Sequence, residues 1–160
     1  MQRIGIGYDV HRYGGRSPLR LGGVDVPHET GLMGHSDADV LLHALCDALL
    51  GAAALPDIGR QFPDSDAAYK DISSRVLLAH VRMMLEEEGF EVVNVDAVIV
   101  AEAPRLAPFM DAMRETIAET LRITPDRVGL KATTTEGLGP MGRGEGIAAQ
   151  AVALIRKAPR

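Results

Sequence analysis

A chain of 160 residues with a formal net charge of −5 and no tryptophan has neither the basic surplus nor the aromatic platforms of a nucleic-acid surface. Its 46% hydrophobic content can fill one buried core, but its longest apolar region, 40–55, is broken by His43 and Asp47 and is too short to span a bilayer. The single cysteine, Cys46, excludes an internal disulfide, and residues 1–7 lack the apolar core of a signal peptide, so the expectation is a cytoplasmic protein with no membrane partner.

Residues 3–11 alternate in polarity and predict a strand, on which Asp9 and His11 share a face. Leu19-Arg20-Leu21 and Val24-Asp25-Val26 flank Gly22-Gly23 and predict a hairpin with a two-residue turn. After a loop over 27–33, Ser36 reads as the N-cap of a helix running to about Ala54, with Asp39 as the acidic partner of a capping box. Val40, Leu41, Ala44, Leu45, Ala48 and Leu49 give that helix an apolar face, and His35, Asp39, His43 and Asp47 recur four apart as a polar stripe beside it. Such a stripe is costly to bury unless something binds it; the plain alternative is a solvated face with a stray core histidine.

Residues 57–66 are polar and rich in turn formers, a functional loop or a short helical turn. Ser73 or Ser74 caps a helix to Glu88 that Gly89 stops, with Met83 and Met84 as core filler and His80 structural. Residues 90–102 predict a strand, 103–105 a corner and 106–121 a helix with Pro108 in its first turn. A capped turn at 124–126 leads to a strand over 128–134, and five glycines punctuate 136–146. The last segment, 147–157, is open: its alanines favour helix, while Val152, Leu154 and Ile155 suit a strand. The order is that of a single mixed α/β domain over 1–160, without repeats or linkers.

Gly5-Ile6-Gly7 is no dinucleotide fingerprint, because a hairpin follows rather than a helix, and no phosphate-binding Gly-x4-Gly-Lys loop occurs. Asp9 and His11 on a strand with His43 on a helix give one carboxylate and two imidazoles, the three-ligand set of a catalytic zinc with one open position. The helix start near His35 and Ser36 offers backbone N–H groups to an anion. Lys131-Ala132-Thr133-Thr134-Thr135-Glu136 offers hydroxyls for phosphate oxygens and, in Glu136, a carboxylate for a harder cation such as Mg²⁺; ordinary strand threonines and a loop glutamate are the plain alternative. Asp57-Ile58-Gly59 with Phe62-Pro63-Asp64-Ser65-Asp66 could accept bonds from polyol hydroxyls, or be a solvated acidic turn. Two other readings stay open on residues alone. One is a zinc hydrolase cleaving a nucleotide diphosphate. The other is a metal-stabilised binding module with a fourth protein ligand, for which His28 is the candidate.

Five motifs in order resemble the 2-C-methyl-D-erythritol 2,4-cyclodiphosphate synthase family of non-mevalonate isoprenoid synthesis, over essentially the whole chain: residues 5–11, 34–43, 47–52, 57–66, and 131–136 with 142–146. The resemblance implies a phosphorus–oxygen lyase that cyclises 4-diphosphocytidyl-2-C-methyl-D-erythritol 2-phosphate and releases CMP, with no side-chain nucleophile. It implies Zn²⁺, or another divalent transition metal, at Asp9, His11 and His43, and Mg²⁺ or Mn²⁺ at Glu136. It gives His35 and Thr134 the positioning of phosphates. Contacts to the erythritol and its phosphate fall on His35, Ser36, Asp57, Ile58, Gly59, Phe62, Pro63, Asp64, Ser65 and Asp66, and Asp9, Val10 and His11 are further substrate contacts. The cytidine pocket falls on Ala101, Glu102, Ala103, Pro104, Arg105, Leu106, Ala107, Thr133, Thr134, Thr135 and Glu136, and Pro140 and Arg143 join the ligand contacts. It also implies a homotrimer with each site between neighbouring subunits, a mixed sheet with helices on one face in a ferredoxin-like arrangement, and a strand at 147–157. This chain departs from many relatives at Arg105 (Lys), Pro140 (an aromatic) and Tyr8 (Phe). Arg143 and Glu145 are associated in some relatives with an isoprenoid diphosphate in the central cavity of the trimer, whose ligand Tyr8 and Pro140 leave open here.

Overall fold

The computed structural model describes residues 1–159. In chain order these form β1 (Gln2–Gly15), β2 (Leu19–Leu21), β3 (Val24–Val26), β4 (Gly31–Leu32), α1 (Val40–Ala53), α2 (Ile58–Gln61), α3 (Ser74–Glu87), β5 (Phe90–Val100), α4 (Met110–Leu121), β6 (Val128–Thr133), α5 (Gly139–Gly142) and β7 (Gly146–Lys157). Five strands make one sheet in the order β4-β1-β7-β5-β6. β7 pairs antiparallel with both β1 and β5, and β5 pairs parallel with β6.

The long segment 147–157 is therefore a strand, and its alanines have a packing reason. Ala149, Ala151 and Ala153 are buried under α1, where a small side chain lets a helix approach a sheet closely. β1 does the same with glycine. A Cβ on Gly5 would stand 2.0 Å from the carbonyl oxygen of Ala48, and one on Gly7 1.9 Å from that of Ala44. The helix backbone thus rests on the strand backbone. Leu41, Leu45, Leu49, Leu78, Ile99 and Met113 fill the core between sheet and helices. The opposite face of β1 is open: Ile4, Ile6, Tyr8 and Val10 are exposed on it.

Several expectations shift. The main succession is strand, two helices, strand, helix, strand, strand, with β7 inserted between β1 and β5, so the arrangement is not the βαββαβ ferredoxin-like one. The first long helix starts at Val40 with Asp39, not Ser36, as its N-cap. Ala38 holds a left-handed backbone with φ of 58°, which breaks any helix beginning before it. The Ser36 hydroxyl is engaged elsewhere, accepting from the Ala38 amide at 3.2 Å. Only His43 and Asp47 of the predicted stripe lie within the helix. Asp39 is fully buried and accepts from three amides: Leu42 at 3.1 Å, Gly22 at 3.0 Å and Gly23 at 2.7 Å. It therefore fastens the β2–β3 turn, whose glycines have φ of 59° and 74°, onto the start of α1. Met83 is exposed rather than core. Ser73 takes the N-cap position of α3, and the neighbouring Ser74 turns its side chain inward.

Candidate metal centre and substrate cleft

β1 carries Asp9 and His11 on the face that α1 covers, and the first turn of α1 carries His43 to meet them. His11 Nε2 lies 2.8 Å from Asp9 Oδ2, His43 Nδ1 lies 3.2 Å from the same oxygen, and the two ring nitrogens are 3.2 Å apart. A tetrahedral zinc with bonds of about 2.0–2.1 Å holds its ligand atoms about 3.3 Å apart, so only a slight opening is needed to admit an ion. Among the described residues this cluster has three members, one carboxylate and two imidazoles.

The hydrogen bonds behind the rings set which nitrogens face inward. His11 Nδ1 is 2.7 Å from the Met33 carbonyl oxygen, which can only accept, so Nδ1 carries the proton and Nε2 presents a lone pair to the cluster. His43 Nε2 is 2.9 Å from Ser74 Oγ and 3.0 Å from Ser36 Oγ. The Ser74 hydroxyl donates to Asp37 Oδ1, leaving its lone pairs to accept from His43 Nε2–H. In the neutral ring His43 Nδ1 is thereby the lone-pair nitrogen, and it points at Asp9. Two lone pairs and a carboxylate converging on one point are the donor set of a divalent cation, with ring partners of the kind that orient metal-bound histidines. Burial pushes the Asp9 carboxyl up, but the facing imidazoles of His11 and His43, which donate to it in their protonated form, outweigh burial and hold the group well below the usual carboxylate range. Burial draws the His11 imidazole down, while its bonds to Asp9 and the Met33 carbonyl carry it above its ordinary value.

The cluster opens into a cleft of about 260 Å³ lined by Asp9, His11, His35, Ser36, His43, Asp47, Ile58, Gly59, Phe62 and Asp64. His35 Nε2 is buried there without a hydrogen-bond partner, a donor or acceptor waiting for a ligand atom. At the start of α1 the carboxylate of Asp39 takes the Leu42 amide, so that amide is not open to an anion. Side chains also face the cleft. Asp47 accepts from the Ile58 amide at 2.8 Å and pins α2 against the cleft; burial pushes its carboxyl up, and the Ile58 bond offsets part of that.

Other predicted site residues are divided. Asp57 caps α2 by accepting from the Arg60 amide at 3.1 Å, and Asp66 accepts from the Ala68 amide at 2.9 Å; with Pro63 and Ser65 they lie in the loop behind the cleft wall. Val10 points to the open face of the sheet. A separate cavity of about 310 Å³ is lined by Ala101, Glu102, Pro104, Arg105, Leu106, Ala107, Thr133 and Thr134. Glu102 organises its rim by accepting from the Thr135 amide at 3.0 Å and the Gly137 amide at 3.4 Å, and the Ala103 carbonyl accepts from Tyr13. Glu136 is exposed, with φ of 54°, and stands outside the three-residue metal cluster. Pro140 and Arg143 line neither cavity; Arg143 pairs with Glu145 at 2.7 Å. His28 packs against the Tyr13 ring and is not in the cluster. Sequence reasoning missed Met33, Asp37 and Ser74 as the groups that orient the rings. A backbone carbonyl leaves no side-chain signature, and Ser74 reads as a helix cap.

Residues 2–156 match the model of the YgbB family. Curated relatives named 2-C-methyl-D-erythritol 2,4-cyclodiphosphate synthase include one from Syntrophomonas wolfei, 60% identical over 156 residues, which are 98% of this chain and 99% of the relative. Another, from Azotobacter vinelandii, is 60% identical over 153 residues, covering 96% and 98%. Among solved structures, the bifunctional IspDF from Campylobacter jejuni superposes with a TM-score of 0.94 at 43% identity, over 98% of this chain and 42% of that longer one. A 2C-methyl-D-erythritol-2,4-cyclodiphosphate synthase in a CDP-bound form superposes at 0.89 with 36% identity, over 96% and 100%. Since the match runs from β1 into β7 and the relatives are alike over nearly their whole length, the chain belongs to the YgbB family.

Proposed function

We infer that this protein cyclises 4-diphosphocytidyl-2-C-methyl-D-erythritol 2-phosphate to 2-C-methyl-D-erythritol 2,4-cyclodiphosphate and releases CMP, as a lyase of isoprenoid synthesis. Identity of 60% across nearly the whole of two enzymes so named supports it. The observation that carries it in the chain itself is the three-ligand centre opening into a cleft beside an unpartnered histidine.

The chemistry asks little of the protein in covalent terms. An oxygen of the 2-phosphate attacks the β-phosphorus of the cytidine diphosphate; one P–O bond forms, the bond to CMP breaks, and no water is consumed. Both reacting groups belong to one molecule, so the cleft has to fold that molecule and neutralise its charge. Holding reactants in line is worth about 7–11 kcal/mol in favourable cases. Asp9, His11 and His43 would hold Zn²⁺ or another divalent transition ion, which when bound polarises and neutralises phosphate oxygens. His35 Nε2 donates to a phosphate oxygen from inside the cleft, and Ile58, Gly59 and Phe62 wall in the carbon skeleton. Cys46 is buried with its thiol pushed well up by that burial, which suits no nucleophilic role.

The finer assignments belong to the same proposal. The cavity over 101–107 and Thr133–Thr134 takes the cytidine, in keeping with relatives solved with CDP. Glu136 would hold Mg²⁺ or Mn²⁺, which would neutralise phosphate charge, and Thr134 would steady the phosphates. Three subunits assemble through the open face of β1 and β7, where Ile4, Ile6, Tyr8 and Val152 are exposed, and the cytidine cavity of one subunit completes the metal cleft of the next. The enzyme works in the cytoplasm. Turnover in ¹⁸O-water tests the reaction class: the cyclic product should form without label and with stoichiometric CMP, whereas label in a phosphate product would make the protein a hydrolase.

A further inference from the structure

At the other end of the sheet lies a charged cavity that the cyclisation does not use. Asp9 pairs with Ala149 of β7, and Arg156 stands seven residues further along that strand, roughly 23 Å away at about 3.3 Å per residue. The cavity, of about 230 Å³, sits between the C-terminal ends of α3 and α4 and the outer ends of β5 and β7. Arg82, Arg122, Arg127 and Arg156 line it, with Glu86 and Glu91.

Two of these cations are neutralised: Arg82 donates to Glu86, and Arg156 to Glu91. Arg122 and Arg127 form no ion pair among the described residues, which leaves two positive charges in excess in a chain whose net charge is −5. Arg82 is 7% exposed, and its Nε is buried without an acceptor. A buried guanidinium donor left unmatched carries a desolvation penalty that an incoming acceptor removes. Guanidinium groups fork onto tetrahedral oxyanions and carboxylates alike, and two surplus charges in so small a space match the doubly charged phosphoryl group.

We propose that this cavity is a binding site for a phosphoryl dianion, either inorganic phosphate or the phosphate of a small metabolite, separate from the metal cleft. The test uses the metal-loaded protein with the catalytic site saturated by CDP, titrated calorimetrically with inorganic phosphate and, in a second arm, with glycerol 3-phosphate. The expected result is one further equivalent bound per chain. Affinity should fall at least tenfold in the double variant Arg122→Ala/Arg127→Ala, whose exposed side chains can be removed without disturbing the core. Binding of phosphate alone would assign the site to the free ion, and binding of both to a phosphorylated metabolite. Absence of any added binding at 10 mM ligand, or unchanged affinity in the double variant, would overturn the proposal. Tungstate soaked into crystals gives an independent readout: its anomalous peak should sit between Arg82, Arg122 and Arg127.

Discussion

Each histidine of the candidate metal centre owes its free lone pair to an atom on its far side. For His43 that atom is Ser74 Oγ, itself committed as a donor to Asp37. Removing the hydroxyl in Ser74→Ala leaves the ring with Ser36 Oγ alone and takes from Asp37 the side-chain donor that it has beside two backbone amides, so zinc affinity should fall by roughly 10–100-fold, the usual cost of losing such a partner. Ser74→Thr, which keeps the hydroxyl, should restore it. Competition titration against a chelator measures both; equal affinities for wild type and Ser74→Ala would dismiss the relay. His43→Ala goes further and should cost the bound zinc outright with modest effect on folding, which metal analysis after dialysis reports, and stoichiometric metal in that variant would remove His43 from the ligand set. The ligands themselves were legible because a strand puts residues two apart on one face and because Asp and His are rare companions in an apolar helix. The groups that orient them were not, since a carbonyl such as Met33 is invisible in a sequence and Ser74 lies 31 positions from the ring it holds.

Elements are placed here by contacts too close for side chains. Gly7 lies where a Cβ would meet the Ala44 carbonyl at 1.9 Å, and Ala44 follows His43. Gly7→Ala must push α1 off β1 and carry His43 away from Asp9 and His11. It should weaken zinc binding and destabilise the fold by about 1–3 kcal/mol. Gly51→Ala is the internal control: its Cβ would come no nearer than 3.9 Å to Ile6, and alanine in a helix interior is better than glycine by about 0.8–1.0 kcal/mol, so this variant should gain stability and bind zinc normally. Urea unfolding with a zinc titration separates the two. Asp39→Asn probes the other fastening. An amide can keep the bonds from Leu42 and Gly22 on its oxygen, but its NH₂ then faces the Gly23 N–H, so a loss of about 1–3 kcal/mol is expected, and a variant as stable as wild type would contradict that reading. Periodicity announced α1 and the Gly22-Gly23 hairpin correctly, because both are local. It misplaced the helix start, because Ser36, a good cap by type, spends its hydroxyl near His43, and it left 147–157 open, because those alanines answer to the helix above them rather than to their own propensity.

At the scale of the whole molecule, the sheet has one finished side and one unfinished side. Helices cover the first; on the second, Ile4, Ile6 and Tyr8 are 74%, 64% and 61% exposed in a row along β1. Alternation in β1 was readable from the sequence, but the vacancy of one face was not, since strand order rests on pairings such as β5 with β6 and β7 with β1 that join residues far apart in the chain. A strand whose outward side chains are large and apolar stays in water only at a cost of about 25 cal/mol per Å² of apolar surface, and self-association removes that cost. If the trimer forms through this face, Ile6→Asp places a carboxylate in its middle, close to its own copies, where desolvation and like-charge repulsion act together. The expected outcome is a monomer by light scattering that still binds zinc, because Asp9, His11 and His43 all come from one chain. If the cytidine cavity of one subunit completes the cleft of the next, turnover should nevertheless vanish, because that subunit is no longer present. A variant that keeps the assembly mass of the wild type would move the interface elsewhere, whereas a monomer that still turns over at the wild-type rate would mean that each chain brings its own nucleoside cavity to its own metal.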